Sequence, residues 1–214
     1  MLRIPYVGRP FQGRRHPMMS AIVLLILCAA CSSKPPEDTR DYAQRIAGDR
    51  AEKDALFSGG NDPIPDAKKA ALLPLAYFPI DPSYDTPASL TPSDDPTIID
   101  MPTSTGAPRK MRKAGTLTFS LKGQAYSITA LYDLTGRPDH LSVMFSDLTS
   151  GTETYAAGRC LDLDRSPTGI YELDFNRAYH PYCYYNPTYE CPYPPQENRL
   201  KIPIRAGERV RASS

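Results

Sequence analysis

From Gly115 onward, apolar and polar residues alternate along the chain, and this pattern limits the possible folds more than any other feature. In the segment TLTFSLK, Leu117, Phe119 and Leu121 share one face of an extended chain. Further strand-like segments, separated by turns, are AYSITALY, HLSVMFS, AAGRCLDLD, GIYELDFN and, as an edge strand containing Pro203, RLKIPIRA. Five or six short strands at this spacing predict a mainly β fold, an antiparallel meander closed as a small barrel or folded as a sandwich.

Proline limits the amount of helix in the rest of the chain. Of the 23 prolines, ten fall within residues 61–109, where regular elements cannot be long. We expect a helix over residues 39–57 with Thr39 as its N-cap, and a proline-rich wrap over 58–114 whose apolar segment LLPLAYFPI packs on the core. The β-meander would then occupy 115–210, within a single domain over 39–214.

Residues 1–30 are typical of an export signal. Four arginines precede the apolar segment AIVLLILCAA (21–30), which is too short to span a membrane. This segment and Cys31 resemble the bacterial lipoprotein signal, although Cys28 stands where that pattern usually has Leu. We predict a lipid anchor on Cys31, a tether over 31–38, and a location in the cell envelope facing the periplasm. Cleavage after Ala30 to give a secreted domain, or an uncleaved anchor, are the alternatives.

Two further expectations follow from charge and position. Ser32 after the anchoring cysteine favours the outer membrane over the inner one, by the sorting habit of enteric-like bacteria. The formal net charge is +1 for the whole chain and −3 without residues 1–30, so no large basic face is available to bind nucleic acid.

Several strings of residues resemble a known bacterial family, the domain of unknown function numbered 1684. They are FSDLTSGTETYAAGRCL, LDFNRAYHPYC, CPYPPQENRL and AGE in the C-terminal half, with DRAEKDALF and LAYFPIDPSY before them. The chain departs from the family pattern at Cys160 (usually aromatic), His180 (usually Asn) and Tyr193 (usually Leu). The resemblance implies a single domain and brings no activity with it.

Three cysteines remain beyond the anchor. Cys183 and Cys191 enclose a seven-residue loop with a turn at Asn186-Pro187, and exported proteins mature in an oxidising compartment, so we expect a Cys183–Cys191 disulfide. The alternative is a metal site built from these two cysteines with His180 and Cys160. Their spacing fits no common zinc pattern, and we predict neither a metal nor a cofactor.

Polar residues gather at the predicted strand ends. The candidate ligand-binding residues are Asp147, Thr149, Tyr155, Arg159, Asp174, Asn176, Tyr179, Asn198 and Arg199. They could instead be structural, with Arg159 and Arg199 paired to Asp147 and Asp174. The chain has no G-x-S-x-G, P-loop, H-E-x-x-H or G-x-G-x-x-G motif.

The sequence therefore favours a binding or structural module of the envelope over an enzyme. Its expected partners are a membrane, through the lipid anchor, and a small polar ligand, whereas protein partners cannot be predicted. The alternative is a periplasmic hydrolase or other small-molecule enzyme that uses Asp147, Arg159, Asp174, Asn176 and Tyr179.

Overall fold

The computed structural model describes residues 38–60, 62–135 and 140–211. The described residues from Arg40 to Arg211 belong to one compact unit, and Asp38 and Thr39 lie outside it. The predicted export signal, Cys31 and the tether up to residue 37 lie outside the described residues. Among the residues that are described, no helix is both long and apolar enough to cross a membrane.

One antiparallel sheet dominates the compact unit. In the described ranges its strands are β1 (Asp85–Pro92), β2 (Ile98–Met101), β3 (Arg109–Leu121), β4 (Gln124–Asp133), β5 (His140–Phe145), β6 (Arg159–Asp164) and β7 (Ile170–Asp174). Their order is β6-β5-β4-β3-β1-β7, with β2 also paired to β3. The end strands β6 and β7 approach one another, so the sheet is nearly closed into a barrel. The predicted mainly β, antiparallel fold is confirmed.

The longest strand, β3, organises this sheet. β4 pairs along one edge of it, while β1 and β2 follow each other along the other edge, opposite Gly115–Phe119 and Arg109–Arg112. The β3–β4 register shifts between Lys113 and Gly115. A Cβ at Gly115 would lie 2.3 Å from the carbonyl oxygen of Thr91, so glycine is needed where the end of β1 pairs closely with β3.

The barrel interior holds the main core. The alternation predicted from the sequence is confirmed in β3 to β7, whose inward side chains are buried. The inward residues of β3, β4, β5 and β7 and the residue after β7 are Leu117, Phe119, Leu121, Ile128, Ala130, Leu141, Val143, Phe145, Tyr171, Leu173 and Phe175. Phe175 packs edge-on against Phe145, with 5.3 Å between the ring centroids.

Helix α1 (Tyr42–Phe57) lies on the outside of the barrel. The predicted N-cap at Thr39 is wrong: the cap is Asp41, whose carboxylate accepts a hydrogen bond from the backbone N–H of Gln44 at 2.7 Å. The Gln44 side chain bonds back to Asp41, which completes a capping box. Buried Ile46 and Phe57 hold the helix to the domain, together with a 2.7 Å hydrogen bond from Leu75 N–H to Asp54.

Two shorter helices and three single turns complete the regular structure of the described part. They are α2 (Asp66–Leu72), α3 (Tyr182–Tyr185) and the 3₁₀ turns Pro82–Tyr84, Phe175–Arg177 and Gln196–Asn198. The predicted apolar segment 72–80 does pack inward, since Leu75 and Phe78 are buried. Leu75 joins a second apolar cluster with Phe57 and Tyr185, beneath α1.

The predicted wrap over 58–114, in which we expected no long regular elements, contains two whole strands and the start of β3. β1 and β2 lie in it, and β1 is an interior strand between β3 and β7. Its two prolines sit where only one neighbour is paired: Pro87 faces β7 alone, and Pro92 faces β3 alone. A strand with an open side loses no ladder bond to a missing N–H, which explains how proline is accommodated here.

The predicted last strand, RLKIPIRA, is not a strand in the structure. Its first half pairs with the chain just after β5, where the N–H groups of Leu200 and Ser146 donate to the carbonyl oxygens of Ser146 and Asn198. Its second half is bonded to buried side chains instead. Arg159 donates to the carbonyl oxygens of Ile204 (2.7 Å) and Ala206, and the N–H of Ile204 donates to Asp147 at 3.2 Å. The C-terminal segment therefore follows an irregular path that these side chains determine.

Candidate functional site

The first predicted pair, Asp147 and Arg159, lies inside the protein. Nη2 of Arg159 is 2.9 Å from Oδ2 of Asp147, and the two side chains are 0% and 1% exposed. The other donors of Arg159 bind carbonyl oxygens of Ile204, Ala206 and Glu208. Burial lowers the pKa of Arg159, and the charge of Asp147 opposes that change. The pair is therefore committed to holding the C-terminal segment.

Asp174 and Asn176 form a second, separate group near the start of α1. Oδ1 of Asp174 accepts hydrogen bonds from the hydroxyl of Tyr42 at 3.0 Å and the N–H of Asn176 at 2.9 Å. The predicted Arg199–Asp174 pair is wrong, because Arg199 is exposed and Arg177 lies 3.4 Å from Asp174. This group anchors the helix to the end of β7.

The remaining predicted residues are distributed among several places. Asn198 is buried and bonds to both backbone groups of Thr129, while Thr149 is buried and bonds to Asp147. Tyr155 packs its ring 5.3 Å from that of Tyr184. The nine predicted residues thus do not share one site, and most of them stabilise internal backbone.

The structure contains Cys183 and Cys191 as free thiols, without the predicted disulfide. They are nevertheless neighbours, since the N–H of Cys183 donates to Sγ of Cys191 at 3.2 Å. Hydrogen bonding to Cys191 lowers the pKa of Cys183 to about 6, with smaller contributions from Ser104 and Tyr155. In the described part of the chain, the ligand atoms of Cys160, His180, Cys183 and Cys191 do not come close enough together to bind one metal ion.

His180 is buried and neutral. Burial, together with the positive charges of Arg159 and Lys53, lowers its pKa to about 3. Its Nε2 accepts a hydrogen bond from the backbone N–H of Tyr155 at 3.2 Å. The backbone N–H of His180 donates to the carboxylate of Glu208 at 2.7 Å. These bonds give His180 a packing role between the C-terminal segment and the tyrosine-rich loop.

An open groove of about 880 Å³ lies on the outer face of the sheet. It is bordered by the second half of α1, by β3 to β6, and by the tyrosine-rich loop 179–192. Its floor is apolar, because Met111, Met144 and Cys160 point outward there and pack with Met101 and Leu131. Burial raises the pKa of Cys160, so this thiol stays protonated and behaves as part of the apolar floor.

Aromatic rings form the walls of the groove. Phe57, Tyr179, Tyr182 and Tyr189 line it, and the rings of Tyr182 and Tyr189 meet edge-on at 5.3 Å. Tyr182 and Tyr189 are exposed on the groove side of the loop, as is Leu56 of α1, which is 65% exposed. Large apolar side chains left open beside a cavity commonly mark a binding surface.

The charged residues of the groove are predominantly acidic. The lining carries the carboxylates of Asp49, Glu52, Asp133, Asp162 and Glu190 against the basic side chains of Lys53 and Arg109. Both basic groups are paired: Arg109 with Asp133 at 2.8 Å and Lys53 with Glu208 at 2.5 Å. The hydroxyl of Tyr179 donates to Asp162 at 2.9 Å, and burial keeps the pKa of Tyr179 well above its usual value.

Of the residues predicted to bind a ligand, Tyr179 lines this groove. The groove itself was missed. One signal for it lies in β5, where Met144 is an apolar residue at a position that the alternation assigns to the outside. Another is the tyrosine-rich loop, in which Tyr182 and Tyr189 are exposed.

The fold and this groove define a class of protein: a nearly closed antiparallel barrel flanked by a helix, with an open site on the outer face of its sheet. The chain belongs to the family described as "Protein of unknown function (DUF1684)", whose model matches residues 71–209. The resemblance of the quoted strings within those residues is thereby confirmed, whereas DRAEKDALF (49–57) precedes the matched range.

A solved relative supports the same assignment. The chain is similar to the uncharacterised protein from gene locus rrnAC0354 of Haloarcula marismortui, whose structure was determined in solution by NMR. The TM-score is 0.64 and the sequence identity 35%, over 81% of this chain and 96% of that one. No functionally curated protein matches the chain.

Proposed function

We propose that the protein is a non-enzymatic binding module of the bacterial cell envelope, attached to a membrane by a lipid on Cys31, and that it binds a positively charged amphiphile in the outer groove. The groove carries the proposal. Its volume of about 880 Å³ is typical of small-molecule sites, and it combines an apolar floor with few, distinct polar groups.

Each part of the groove favours one part of such a ligand. The floor of Met111, Met144 and Cys160 offers an apolar surface to an alkyl or aromatic group. The aromatic walls can hold a cation over their faces. An ammonium group is already bound in this way, because Nζ of Lys53 lies 5.1 Å from the ring centroid of Phe57 and 4.8 Å from that of Tyr179.

The acidic rim supplies the preference for positive charge. Glu52 and Asp162 are exposed carboxylates of the groove, and the basic groups beside them are paired with other acids. An anionic ligand would meet this excess of negative charge, whereas a cationic one would be attracted to it.

The alternative, a hydrolase built on Asp147, Arg159, Asp174, Asn176 and Tyr179, has less support. The first four side chains are buried and bonded to the protein itself, so they present no acid, base or nucleophile to a substrate. Tyr179 faces the groove with its proton held by burial.

The envelope location leads to two tests on the exported protein. Lipidation of Cys31 predicts that globomycin, which blocks cleavage of lipoprotein precursors, leaves an uncleaved chain; a product of normal size would contradict it.

The contact between Cys183 and Cys191 favours a disulfide in the oxidising compartment, where a disulfide donor accepts the two electrons and two protons of the thiols. Mass spectrometry without reduction should find these two peptides joined, and free thiols would contradict it.

Calorimetry with matched probes tests the ligand. Octyltrimethylammonium, octyl sulfate and octyl glucoside have the same chain and differ in charge, and all are used below their micelle concentrations. We expect the cation to bind about tenfold more tightly than the anion, with the neutral probe between them. Glu52→Gln with Asp162→Asn should remove most of this difference, while Glu197→Gln, at an exposed carboxylate outside the groove, should preserve it. Equal affinity for all three probes would disprove the charge preference, and no binding would disprove the site.

A further inference from the structure

A second, smaller cavity lies beside the middle of α1. Its volume is about 180 Å³, and it is bordered by that helix, by Tyr77, by Glu208 and by residues 176–179 after β7. Asp49, Lys53 and Tyr179 line both this cavity and the outer groove. Pockets for drug-sized molecules typically measure about 300–1,000 Å³, so this cavity has room only for a ligand of a few heavy atoms.

Arg50 brings a positive charge to this cavity without an acidic partner. Its Nη1 donates to the carbonyl oxygen of Phe78 at 3.0 Å, and its Nη2 donates to that of Asn176 at 3.4 Å. In the described part of the chain, no carboxylate forms an ion pair with Arg50. The two bonds use two of the five N–H donors of the guanidinium, and Nε is buried without an acceptor. A buried donor in this state costs free energy until an acceptor reaches it.

Tyr77 offers a second unused donor beside the first. The guanidinium carbon of Arg50 lies over its ring, 4.5 Å from the centroid. The hydroxyl of Tyr77 is buried and has no hydrogen-bond partner, although a buried tyrosine hydroxyl usually has one. An isolated β-bridge to Glu208 holds the backbone of Tyr77 in place. Two neighbouring lining residues of the cavity therefore each present a donor that the protein itself does not use.

The charge of the cavity favours an ion with a single negative charge. Its charged lining consists of three basic and two acidic side chains, namely Arg50, Lys53, Arg177, Asp49 and Glu208. Lys53 is paired with Glu208 at 2.5 Å, and Arg177 is paired with Asp49. One positive charge is left over, that of Arg50. A dianion would exceed this charge, and the two carboxylates would repel it more strongly than a monoanion.

We propose that Arg50 and Tyr77 bind a small carboxylate, of the size of acetate, in this cavity. A carboxylate has one negative charge and two oxygens in a plane, which match parallel N–H donors on the edge of a guanidinium. Nε provides one such donor, and Nη2 carries a second hydrogen besides the one that it donates to Asn176. The bound ion would link α1 to the segment that contains Tyr77. The site does not depend on the proposed function of the outer groove.

The Nε–H group of Arg50 gives a direct readout in ¹H–¹⁵N NMR spectra of the folded protein, and the substitution Arg50→Lys identifies its signal by removing it. Sodium acetate replaces sodium chloride stepwise at neutral pH and constant ionic strength. We expect the signal to shift saturably, with a Kd of about 1 mM for acetate. Because chloride is present throughout, the same titration also tests whether the site prefers a carboxylate to a simple anion. A signal that does not move, or that moves without saturating, overturns the proposal.

Variants separate this site from general attraction of anions to the surface. Tyr77→Phe removes one hydroxyl with little risk to folding and should weaken acetate binding about fivefold in the NMR titration. Arg50→Lys keeps the charge but loses the planar donors, and calorimetry should show acetate binding at least about tenfold weaker.

Arg112 provides a matched control. Its Nε is also buried without an acceptor and its guanidinium also lies over a tyrosine ring, that of Tyr132, but it does not line this cavity. Arg112→Lys should therefore leave the affinity for acetate unchanged. The proposal is overturned if Tyr77→Phe binds acetate as well as the natural chain, or if Arg112→Lys weakens binding as much as Arg50→Lys does.

Discussion

Two sets of side chains lie in contrasting surroundings: one is polar and buried, and the other lines the outer groove and is open to solvent. The inner polar network, defined as Asp147, Arg159, His180, Asn198 and Glu208, is buried and bonded to backbone. The outer groove, by contrast, is open, and its lining is mostly apolar and aromatic with acids at the rim. Residue types that suggest catalysis thus hold the fold together, whereas methionines and tyrosines form the surface that a ligand can reach.

The difference shows that accessibility decides more than residue type. Arg159 has the donors expected of an anion-binding residue, but each of its bonded partners is an internal group. The groove is formed where loop 179–192 and α1 stand apart over the sheet, and its chemistry depends on which side chains face that space. If this division is correct, inner substitutions should change stability and outer ones should change binding.

The largest effect is expected in the inner polar network. Arg159→Met should lower the free energy of unfolding by about 3–5 kcal/mol, because it leaves Asp147 as an unpaired buried charge and frees three carbonyl oxygens. Urea denaturation measures the change. Arg199→Met, which removes an exposed arginine, should change stability by less than about 0.5 kcal/mol. Equal effects of the two substitutions would break the distinction between inner and outer residues.

The second effect is a dependence of stability on pH. His180 has a pKa of about 3 in the folded protein, so below the ordinary value of about 6.5 the unfolded chain binds a proton that the folded chain does not. Stability should therefore fall as the pH is lowered from 6.5, by about 1.4 kcal/mol per pH unit from this group. The upper part of this window, from pH 6.5 to about 5.5, lies above the range where ordinary carboxylates titrate.

A substitution isolates the contribution of His180. Asn, the residue usual in the family pattern, has no titrating group, so His180→Asn should flatten the decline measured by thermal unfolding between pH 7 and pH 4.5. His140→Asn, at a half-buried histidine on the rim of the groove, provides the control and should leave the slope in place. Parallel curves for His180→Asn and the natural chain would mean that the buried imidazole takes up a proton without cost.

Local patterns in the sequence predicted much of the fold. Alternation identified β3 to β7. In a half-buried strand successive side chains point to opposite faces of the sheet, so the local sequence alone shows which of them are buried. The same reasoning failed for RLKIPIRA, which alternates well, because Arg199 forms an isolated bridge with Ser146 and the backbone from Ile204 onward bonds to the buried Arg159. It failed for β1 as well, since a proline is tolerated there only through the offset pairing with β3 and β7.

The site was harder to predict than the fold. Asp147 and Arg159 were correctly associated with each other, but their burial depends on the path of residues 204–208, which no local pattern indicates. The groove requires α1 and loop 179–192 to be placed over the outer face of the sheet. Only the finished fold brings Phe57, Met144 and Tyr182 together, and nothing in their separate surroundings along the chain connects them.

The smallest effect on stability, and the sharpest test of the outer groove, is expected from Tyr182→Ala. Tyr182 is 44% exposed and packs edge-on against Phe57 and Tyr189 at the groove, so losing its ring should lower the free energy of unfolding by only about 1 kcal/mol. Binding of octyltrimethylammonium should nevertheless weaken about fivefold to tenfold, since the ring faces the ligand.

A matched tyrosine gives the comparison its control. Tyr193 is exposed to a similar degree, at 38%, but does not line the groove, so Tyr193→Ala should leave the affinity for the probe unchanged. Calorimetry and urea denaturation on the same two variants report binding and stability separately. Loss of affinity in both variants would show that the loop acts through its general order, whereas loss in Tyr182→Ala alone places the ligand against the aromatic wall.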